Sequence, residues 1–530
     1  MDRNEGLKEI KNNTKVWDMV VIGGGASGLG VALDGLSRGL SVLLLEKSDF
    51  AKGTSSRSTK LLHGGVRYLA QGDVSLVLEA LKERGLIMKN APHISRRQSF
   101  IIPLYSYFDK LKYGVGLKVY DLMAGKLRIG WSRLMSKEET LRKLPTIKQE
   151  GLKGGVEYFD GQFDDARLAL NIAQTCDELG GTVLNYMKVN SLTKDSQGII
   201  NGLVVEDGIH HDTYTILAKT VVNATGVFAD KVLKMDNPAA AKTIQPSQGA
   251  HIVIDLSFLG GMDALMIPQT SDGRVLFGIP WHGKLVLGTT DTVRKNPKNE
   301  PSPLETEIDF ILDTCAEYLV KKPTRADVLS TFAGMRPLAA PTGEGAKTKE
   351  ISRSHKVTIS ESHLVSIIGG KWTTFRKMGE DTIDAISKLK RLNLEKSKSQ
   401  LIKFHGYTTA LANENGFSVY GSDAEKINRI IEARPELNEK IHPDYSYLKA
   451  EVVWMVKEEM AIKVEDVLAR RFRILFLDAR AATEMAPLVA EIMAEELGQD
   501  KEWEEREVED FLKTAQKYFI RKEKKSVSNL

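Results

Sequence analysis

The sequence predicts an α/β protein that is followed by an all-helical C-terminal domain. Three observations support this class. A glycine-rich turn joins a short apolar run to a helix near residue 23, alternating strands with tight turns run over residues 266–292, and apolar residues recur at helical spacing after residue 424. A chain of 530 residues is long enough to divide into two or three domains.

The glycine-rich turn lies between two predicted elements. Residues 19–22 form an apolar run that predicts a buried strand, and residues 26–36 carry helical spacing. Gly23, Gly25 and Gly28 between them make the pattern G-x-G-x-x-G, which permits a tight turn, close backbone approach to a pyrophosphate and close helix packing. We therefore expect a bound dinucleotide at the N-terminus of this helix.

Glu46 supports the same expectation. It ends a second predicted strand, residues 41–45, about twenty residues beyond the glycines, where an acidic side chain can accept hydrogen bonds from a ribose. This arrangement suits FAD as well as NAD, so the motif alone does not choose between them.

The segment that starts at Thr54, "TSSRSTKLLHGGVRYL", is rich in hydroxyl groups and then places His63 before two glycines. Such glycines would let the backbone lie flat against a planar ring. Arg67 and Tyr68 follow. The segment resembles the one that runs under the flavin in the FAD-dependent glycerol-3-phosphate dehydrogenases of the aerobic, respiratory type, and the related glycerophosphate oxidases carry a similar segment.

Further strings extend the resemblance over residues 17–380, in the order in which this family has them. They are "VVNATGVFAD", which contains Asn223 and Gly226, then "SQGAHIVI", the strand-rich "MIPQTSDGRVLFGIPWHGKLVLGTTDT", "STFAGMRPLAAP", "ISRSHKV" and "VSIIGGKWTTFRKMGED". Each string alone is weakly diagnostic. Their common order is specific.

The resemblance implies a Rossmann-type FAD-binding domain with an inserted antiparallel-sheet substrate domain and a C-terminal all-α domain. We expect residues 16–95, 155–245 and 330–392 in the FAD-binding domain. The substrate domain would take residues 96–154 and 246–329, and the helical domain residues 400–525. Within the substrate domain, turns at residues 271–273 and 282–283 predict a meander of strands.

The motifs and the resemblance together predict a set of residues that bind FAD. They are Gly23, Gly25, Ser27, Gly28, Glu46, Lys47, Thr54, Ser55, Ser56, Lys60, Leu61, His63, Gly64, Gly65, Ala224, Gly226, Gly370, Thr373 and Thr374. Alternatives stay open for two parts of this set, because the hydroxyl-rich segment could be an ordinary loop and the two threonines could cap a helix.

The substrate that the resemblance implies is glycerol 3-phosphate. A phosphate dianion is best held by several cations from different segments, and the candidates are Arg67, Arg336, Arg353 and Lys371. Tyr68 and Thr373 are further candidate substrate contacts. Any one of these cations could instead be a surface charge or part of a structural ion pair.

Oxidation of a secondary alcohol requires a base for the hydroxyl proton. Histidine titrates near neutrality, which favours His63 or His251. His63 is preferred because the resemblance places it beside the flavin ring, and His251 would then bind the substrate hydroxyl. Arg336 would stabilise negative charge on the ketone oxygen. Either histidine could instead be structural.

The electron acceptor is expected to be a membrane quinone, because no second G-x-G-x-x-G motif is present for NAD. Residues 110–135 hold six basic side chains and one acidic one among aromatic and aliphatic residues. This predicts a helix that contacts an anionic lipid surface or packs on the core, and the two alternatives stay open. Related dehydrogenases are peripheral membrane proteins, so we expect a cytoplasmic protein on the inner face of the cell membrane.

Rival functions follow from the same fold. A glycerophosphate oxidase would carry a longer insertion in the middle of the chain, for which this sequence has no room. Another FAD-dependent hydroxy-acid or amine oxidoreductase would need fewer cations at the substrate end. A non-enzymatic flavoprotein would need neither a base nor a phosphate site.

Composition excludes other classes. The formal net charge of +4 is the small difference between 74 basic and 70 acidic residues, which argues against a nucleic-acid partner. Cys176 and Cys315 are the only cysteines, so a cysteine-rich metal site is excluded. The charged N-terminus predicts no secretory signal, and no apolar run of about 18 residues predicts a transmembrane helix. A homodimer is left open.

Overall fold

The computed structural model describes residues 1–11, 14–65, 73–340, 354–410 and 417–520. Side chains are described for all of these except residues 110–112 and 115. None of the helices in these ranges is long and apolar enough to cross a bilayer.

Sheet A carries the predicted glycine-rich turn. In the described residues it has eight strands, β1 (Val16–Ile22), β2 (Val42–Leu45), β7 (Thr182–Leu184), β8 (Met187–Lys194), β9 (Ile200–Asp207), β10 (Thr213–Asn223), β17 (His355–Ile359) and β18 (Val365–Gly369). Their order is β17-β18-β10-β1-β2-β7, and β9 joins β8 to β10. The strands from β18 to β7 are parallel, so their carboxyl ends meet at one edge, where ligands bind in open α/β sheets.

Sheet B has ten strands in the described residues and is mostly antiparallel. They are β3 (Leu61–Leu62), β4 (Ser95–Leu104), β5 (Arg133–Met135), β6 (Gly154–Phe163), β11 (Ile244–Asp255), β12 (Ala264–Ile267), β13 (Leu276–Trp281), β14 (Lys284–Gly288), β15 (Thr292–Val293) and β16 (Val328–Ala339). The predicted meander is confirmed, because β12, β13 and β14 pair in sequence and antiparallel.

The sheet pairing departs from the expected domain limits at three places. The first is the short strand β3, which pairs with β6 in sheet B although we expected residues 16–95 in the FAD-binding domain. We expected residues 155–245 and 330–392 in the FAD-binding domain, but β6 pairs with β4, and β16 pairs with β11, in sheet B. Both strands are buried along most of their length, so their residue pattern carries no information about which sheet they join. The other domain limits stay predictions.

The helices surround the two sheets. They are α1 (Arg3–Lys11), α2 (Ala26–Ser37), α3 (Val74–Asn90), α4 (Tyr107–Met123), α5 (Lys137–Lys143), α6 (Asp165–Glu178), α7 (Ala229–Asp236), α8 (Glu305–Tyr318), α9 (Phe375–Ser387), α10 (Ala424–Ala433), α11 (Lys449–Glu458), α12 (Ile474–Leu477), α13 (Ala479–Leu497) and α14 (Lys501–Ala515). Helices α2 and α9 cross closely, because a Cβ at Gly379 would lie 2.1 Å from the carbonyl oxygen of Gly30.

The C-terminal helices form the predicted all-α domain, which packs on sheet B. Its core includes Phe476 and Met485 together with Trp281 and Phe332 from the sheet. Buried ion pairs also join this domain to the region around sheet A. Asp49, in the loop that follows β2, lies 2.6 Å from Arg470 Nε and 2.9 Å from Arg471 Nη1. Arg470 and Arg471 of the C-terminal domain are therefore buried, and each pairs with a buried carboxylate, which offsets the cost of burying its charge.

Candidate active site

One cavity of about 760 Å³ is lined by residues of both sheets. It is lined by the turn after β1, the loop after β2, most of residues 51–65, the strands that face it from sheet B and the turn after β18. A concave, partly apolar pocket of this size, at the carboxyl ends of parallel strands, is a typical site for a cofactor.

The glycine-rich turn has the geometry that its motif predicts. Gly23 has a φ of +113°, which a residue with a side chain rarely adopts. A Cβ at Gly28 would lie 1.8 Å from the carbonyl oxygen of Gly23, so only glycine allows helix α2 to begin this close to the turn. Gly23, Gly25 and Ser27 line the cavity, whereas Gly28 packs behind the turn.

Glu46 lies at the end of β2 and lines the cavity. Its carboxylate accepts hydrogen bonds from the backbone N–H of Gly24 at 2.7 Å and of Ser48 at 2.9 Å. Burial raises the pKa of Glu46, and the two backbone N–H groups and Lys47 oppose this effect. The carboxylate is thus fixed beside the turn, where it can face a ribose. Lys47 also lines the cavity and donates a hydrogen bond to Asn299 Oδ1 at 2.9 Å.

The hydroxyl-rich segment closes the wall next to the turn. Ser55 Oγ accepts a hydrogen bond from the N–H of Ala26 at 2.9 Å, which satisfies a donor at the N-terminus of α2. Thr54 Oγ1 donates a hydrogen bond to the carbonyl oxygen of Met335 at 2.6 Å. Trp372 Nε1 donates a hydrogen bond to the carbonyl oxygen of Ser55 at 2.8 Å. These contacts tie three distant segments to one wall of the cavity.

Several predicted cofactor residues are not brought to the cavity lining. They are Ser56, Lys60, Gly64 and Thr374, in addition to Gly28. Lys60 is fully buried, and its Nζ donates to Asp165 Oδ2 at 2.8 Å and to the carbonyl oxygen of Ser56 at 2.7 Å. Burial lowers the pKa of Lys60 to about 7, against the attraction of Asp165. The Lys60 amine is therefore bonded inside the protein and does not reach the cavity.

The other predicted cofactor residues do line the cavity. They are Thr54, Ser55, Leu61, His63, Gly65, Ala224, Gly226, Gly370 and Thr373. Of the predicted substrate contacts, Arg67, Tyr68 and Arg353 lie outside the described residues.

The two candidate histidines both line the cavity. His251 is 2% exposed, its ring stacks on Phe332 with centroids 4.7 Å apart, and its Nε2 lies 3.0 Å from Thr59 Oγ1. Burial, and then the nearby charges of Lys60 and Arg336, hold its pKa well below 6.5. His251 is therefore neutral at neutral pH, while His63 is partly exposed at the cavity wall.

Arg336 and Lys371 converge on the same cavity from β16 and from the turn after β18. Arg336 Nη1 donates to the carbonyl oxygen of Thr290 at 3.1 Å, and Nη2 donates to Thr289 Oγ1 at 3.1 Å. Nη1 also lies 3.4 Å from Asp291 Oδ1. The guanidinium is thus held in one orientation and stays 22% exposed at the cavity.

Sequence reasoning missed other charged residues of the lining, among them Arg57, Arg274 and Asp160. Arg274 follows Gly273 in the turn before β13, and its Nε donates to Asp272 Oδ2 at 2.5 Å. The sequence offered one signal for Arg274, namely an arginine next to a glycine in a predicted turn. Arg57 stands inside the recognised segment, but no local pattern distinguishes it from Lys60, three residues further on.

The donor set fits a dinucleotide. The turn leaves no room for side chains between β1 and α2, the carboxylate of Glu46 stands at the end of the neighbouring strand, and cations line the rest of the wall. These are the groups that bind a pyrophosphate and a ribose.

Comparisons with known proteins agree with this reading. A family model described as FAD dependent oxidoreductase matches residues 18–372, and the model of the C-terminal domain of alpha-glycerophosphate oxidase matches residues 361–504. The chain is 38% identical over 541 residues to a mitochondrial glycerol-3-phosphate dehydrogenase of Bos taurus, covering 96% of this chain and 73% of that protein. It is 39% identical over 544 residues to the mitochondrial enzyme of Arabidopsis thaliana, covering 94% and 86%.

Solved structures give the same result. The glycerol-3-phosphate dehydrogenase of Bacillus halodurans, complexed with FAD, is similar with a TM-score of 0.80 and 30% identity over 98% of both chains. The glycerophosphate oxidase of Mycoplasma pneumoniae has a TM-score of 0.55 at 16% identity, covers 72% of this chain and 97% of its own, and supports the fold alone. The expected fold class and FAD as the cofactor are confirmed. The chain belongs to the FAD-dependent oxidoreductases and, within them, to the glycerol-3-phosphate dehydrogenase family.

Proposed function

We propose that the protein oxidises sn-glycerol 3-phosphate to dihydroxyacetone phosphate with FAD and passes the electrons to a membrane quinone. The observation that carries this proposal is the convergence of the glycine-rich turn, His63, His251, Arg336 and Lys371 on one cavity. The relatives described above are glycerol-3-phosphate dehydrogenases, which supports the choice of substrate.

The cations of the cavity would hold the phosphate of the substrate. Arg336 and Lys371 reach the lining from different segments, and a dianion is bound best by such converging charges. Arg274 also lines the cavity, and we add it to Arg336 and Lys371 as a third candidate cation of the proposed substrate site. The roles of Arg67, Tyr68, Thr373 and Arg353 stay proposals.

Proton removal is proposed for His63. Bound FAD supplies the acceptor for the hydride that leaves the carbinol carbon, while the hydroxyl proton passes to a base of the protein and the C=O bond forms. His251 is a weak base because burial lowers its pKa, so it suits the role of a hydrogen-bond partner of the substrate hydroxyl. Arg336 would stabilise negative charge that develops on the substrate oxygen.

Helix α4 supports the proposal of a membrane acceptor. Its buried face contains Leu117 and Tyr120, each 1% exposed, whereas Phe108, Val119 and Leu122 on the other side are 75%, 43% and 65% exposed. One face of the helix therefore packs on the core, which is one of the two alternatives that the sequence left open, and the opposite face is exposed, as contact with a lipid surface would require.

Basic and aromatic side chains continue this exposed surface beyond the helix. The guanidinium of Arg128 lies 3.6 Å from the ring centre of Trp131, which is itself 49% exposed. Cations beside exposed apolar groups fit an anionic lipid surface, from which a quinone could accept electrons. A position on the inner face of the cell membrane belongs to this proposal.

Two measurements test the proposed function. Anaerobic addition of glycerol 3-phosphate, but not of glycerol or lactate, should bleach the flavin absorbance of the purified protein, and absence of bleaching would overturn the proposed substrate. Turnover with a quinone analogue in anionic vesicles should exceed turnover with oxygen. Faster turnover with oxygen would instead identify a glycerophosphate oxidase.

The role of α4 has its own test. Leu122→Asp should weaken sedimentation with anionic vesicles and slow quinone reduction in them, while reduction of a soluble dye stays unchanged. Leu401→Asp is the matched control, since Leu401 is 78% exposed on a different segment of the chain. Equal vesicle binding by both variants and the unsubstituted protein would contradict the assignment of this surface.

A further inference from the structure

The last described stretch of the chain, residues 511–520, reaches the cofactor cavity. Thr514 and Lys517 belong to the cavity lining, together with the glycine-rich turn. These residues follow α13 and most of α14, and they lie beyond residue 504, where the match to the C-terminal family model ends. The stretch therefore adds to the site a wall that lies outside the residues matched by either family model.

This stretch is held in place by Tyr518. The carbonyl oxygen of Tyr518 accepts a hydrogen bond from the N–H of Thr331 in β16 at 2.7 Å. Its ring meets that of Phe476 edge to face, with centroids 5.3 Å apart, and the residue is 2% exposed. The end of α14 is thus anchored on sheet B and does not extend freely from the domain.

The hydroxyl group of Tyr518 completes a chain of polar contacts to the cavity wall. It donates to Glu300 Oε1 at 2.8 Å, and Arg57 Nη2 lies 2.7 Å from the same oxygen. Both Arg57 and Glu300 line the cavity. We call Arg57, Glu300 and Tyr518 the C-terminal clasp, because they join three segments that are far apart in sequence.

The clasp is buried, which strengthens its contacts. The side chains of Arg57 and Glu300 are 2% and 10% exposed, so little water screens the charge-assisted bonds. Burial alone would lower the pKa of Arg57, but the attraction of Glu300 outweighs it and the pKa is raised. The Arg57 guanidinium is therefore permanently charged at the cavity wall.

One atom of the clasp lacks a partner within the described part of the chain. Arg57 Nη1 is buried and donates no hydrogen bond to any acceptor there. A buried donor of this kind is costly unless an acceptor satisfies it. FAD carries many oxygen acceptors, including those of its negatively charged pyrophosphate, so a cofactor in this cavity would supply the missing partner.

We propose that the C-terminal clasp and Lys517 form part of the cofactor site and slow the release of FAD. This inference rests on FAD lying in the cavity described above. The clasp acts by holding the cavity wall, so Tyr518 and Glu300 are positioning residues, whereas Lys517 adds positive charge at the mouth.

The first test is Tyr518→Phe in the full-length holoenzyme. Phenylalanine keeps the ring against Phe476 and removes only the hydroxyl group that holds Glu300. We expect FAD to dissociate about five to ten times faster, which is less than the full effect of one hydrogen bond to a charged group, because the Tyr518 hydroxyl acts on FAD only through Glu300 and Arg57. Release is measured as the rise of free flavin fluorescence after dilution, and it does not depend on turnover.

The matched control is Tyr447→Phe. The Tyr447 hydroxyl donates to the carbonyl oxygen of Phe472 at 2.7 Å in the same domain, and Tyr447 does not line the cavity. Its loss should lower thermal stability without accelerating FAD release. An unchanged dissociation rate in a folded Tyr518→Phe variant would overturn the proposal, as would equal acceleration in the control.

Lys517→Glu provides a second test that folding cannot obscure, because this side chain is exposed. Reversing its charge should accelerate FAD release, most strongly at low salt. Lys513→Glu is the control, since Lys513 is exposed on the preceding helix α14, does not line the cavity and pairs with Glu509 at 2.9 Å. If Tyr518→Phe fails to fold, an unchanged rate in Lys517→Glu overturns the proposal. An unsubstituted protein that binds no FAD would overturn the placement of the cofactor itself.

Discussion

Replacing Arg336 with alanine is the sharpest test of the proposed substrate site. Arg336 reaches the cavity from β16, and two backbone or hydroxyl acceptors on the neighbouring segment fix its guanidinium. The variant removes a positive charge that we place beside the reacting oxygen or the phosphate, and it leaves the glycine-rich turn and Glu46 untouched. We therefore expect a loss of catalysis without a loss of cofactor.

The size of the effect follows from the contacts. A hydrogen bond to a charged group contributes about 1.5–3 kcal/mol, and each 1.4 kcal/mol corresponds to about a factor of ten. One such bond to the substrate predicts a fall in kcat/KM of about ten- to a hundredfold. Arg336→Lys keeps the charge but loses the planar fork, so it should fall between the alanine variant and the unsubstituted protein.

The assay compares kcat/KM for glycerol 3-phosphate with the flavin content per chain, measured by absorbance. Arg325→Ala is the control, because Arg325 forms ion pairs with Glu305 and Asp309 on the surface and does not line the cavity. Parallel loss of flavin and of kcat/KM in Arg336→Ala would show that the residue acts through the fold. Unchanged kcat/KM would remove it from the site.

Three further predictions concern the cofactor and stability. Gly28→Ala should abolish FAD binding, measured by absorbance, because its Cβ would lie 1.8 Å from the oxygen of Gly23; full flavin content would contradict this account of the turn. Asp49→Asn should lower the free energy of unfolding by about 3 kcal/mol in a denaturant titration, since it breaks buried ion pairs with two arginines, and a loss below about 1 kcal/mol would count against it. Burial alone would lower the pKa of His405, but the hydrogen bond and attraction to Asp423 outweigh burial and raise it. The protonated side chain therefore stabilises the folded protein fully below about pH 6.5, and this stabilisation is lost as pH rises through the folded-state pKa. His405→Ala should flatten this dependence of the melting temperature on pH.

Much of the fold was predictable because its signals are local. The apolar run before Gly23 and the tight turns of residues 271–273 and 282–283 each predict a strand or turn from a few neighbouring residues. The structure confirms them as β1 and as the meander β12 to β14. Strands β6 and β16 were harder, because a strand that is buried on both faces can pair in either sheet with the same residue pattern.

The site was predictable in outline and less so in detail. The turn, Glu46 and His63 lie in motifs whose spacing reflects one continuous piece of chain. By contrast, Arg57 and Lys60 belong to the same motif, but only Arg57 lines the cavity. Lys60 is buried and pairs with Asp165. The chain has 74 basic side chains, and no local pattern predicts which of them pairs with a buried carboxylate. For Lys60 the partner lies about a hundred residues further along the chain.

The sequence by itself determined the class of fold, the dinucleotide-binding turn and the family, since these depend on short motifs and on their order along the chain. Only the tertiary structure decided which cations reach the cavity and that Thr514 and Lys517 form part of its wall. The physical reason is that burial and pairing of charges arise from contacts between distant segments, whereas hydrophobic periodicity and turn chemistry arise between neighbours.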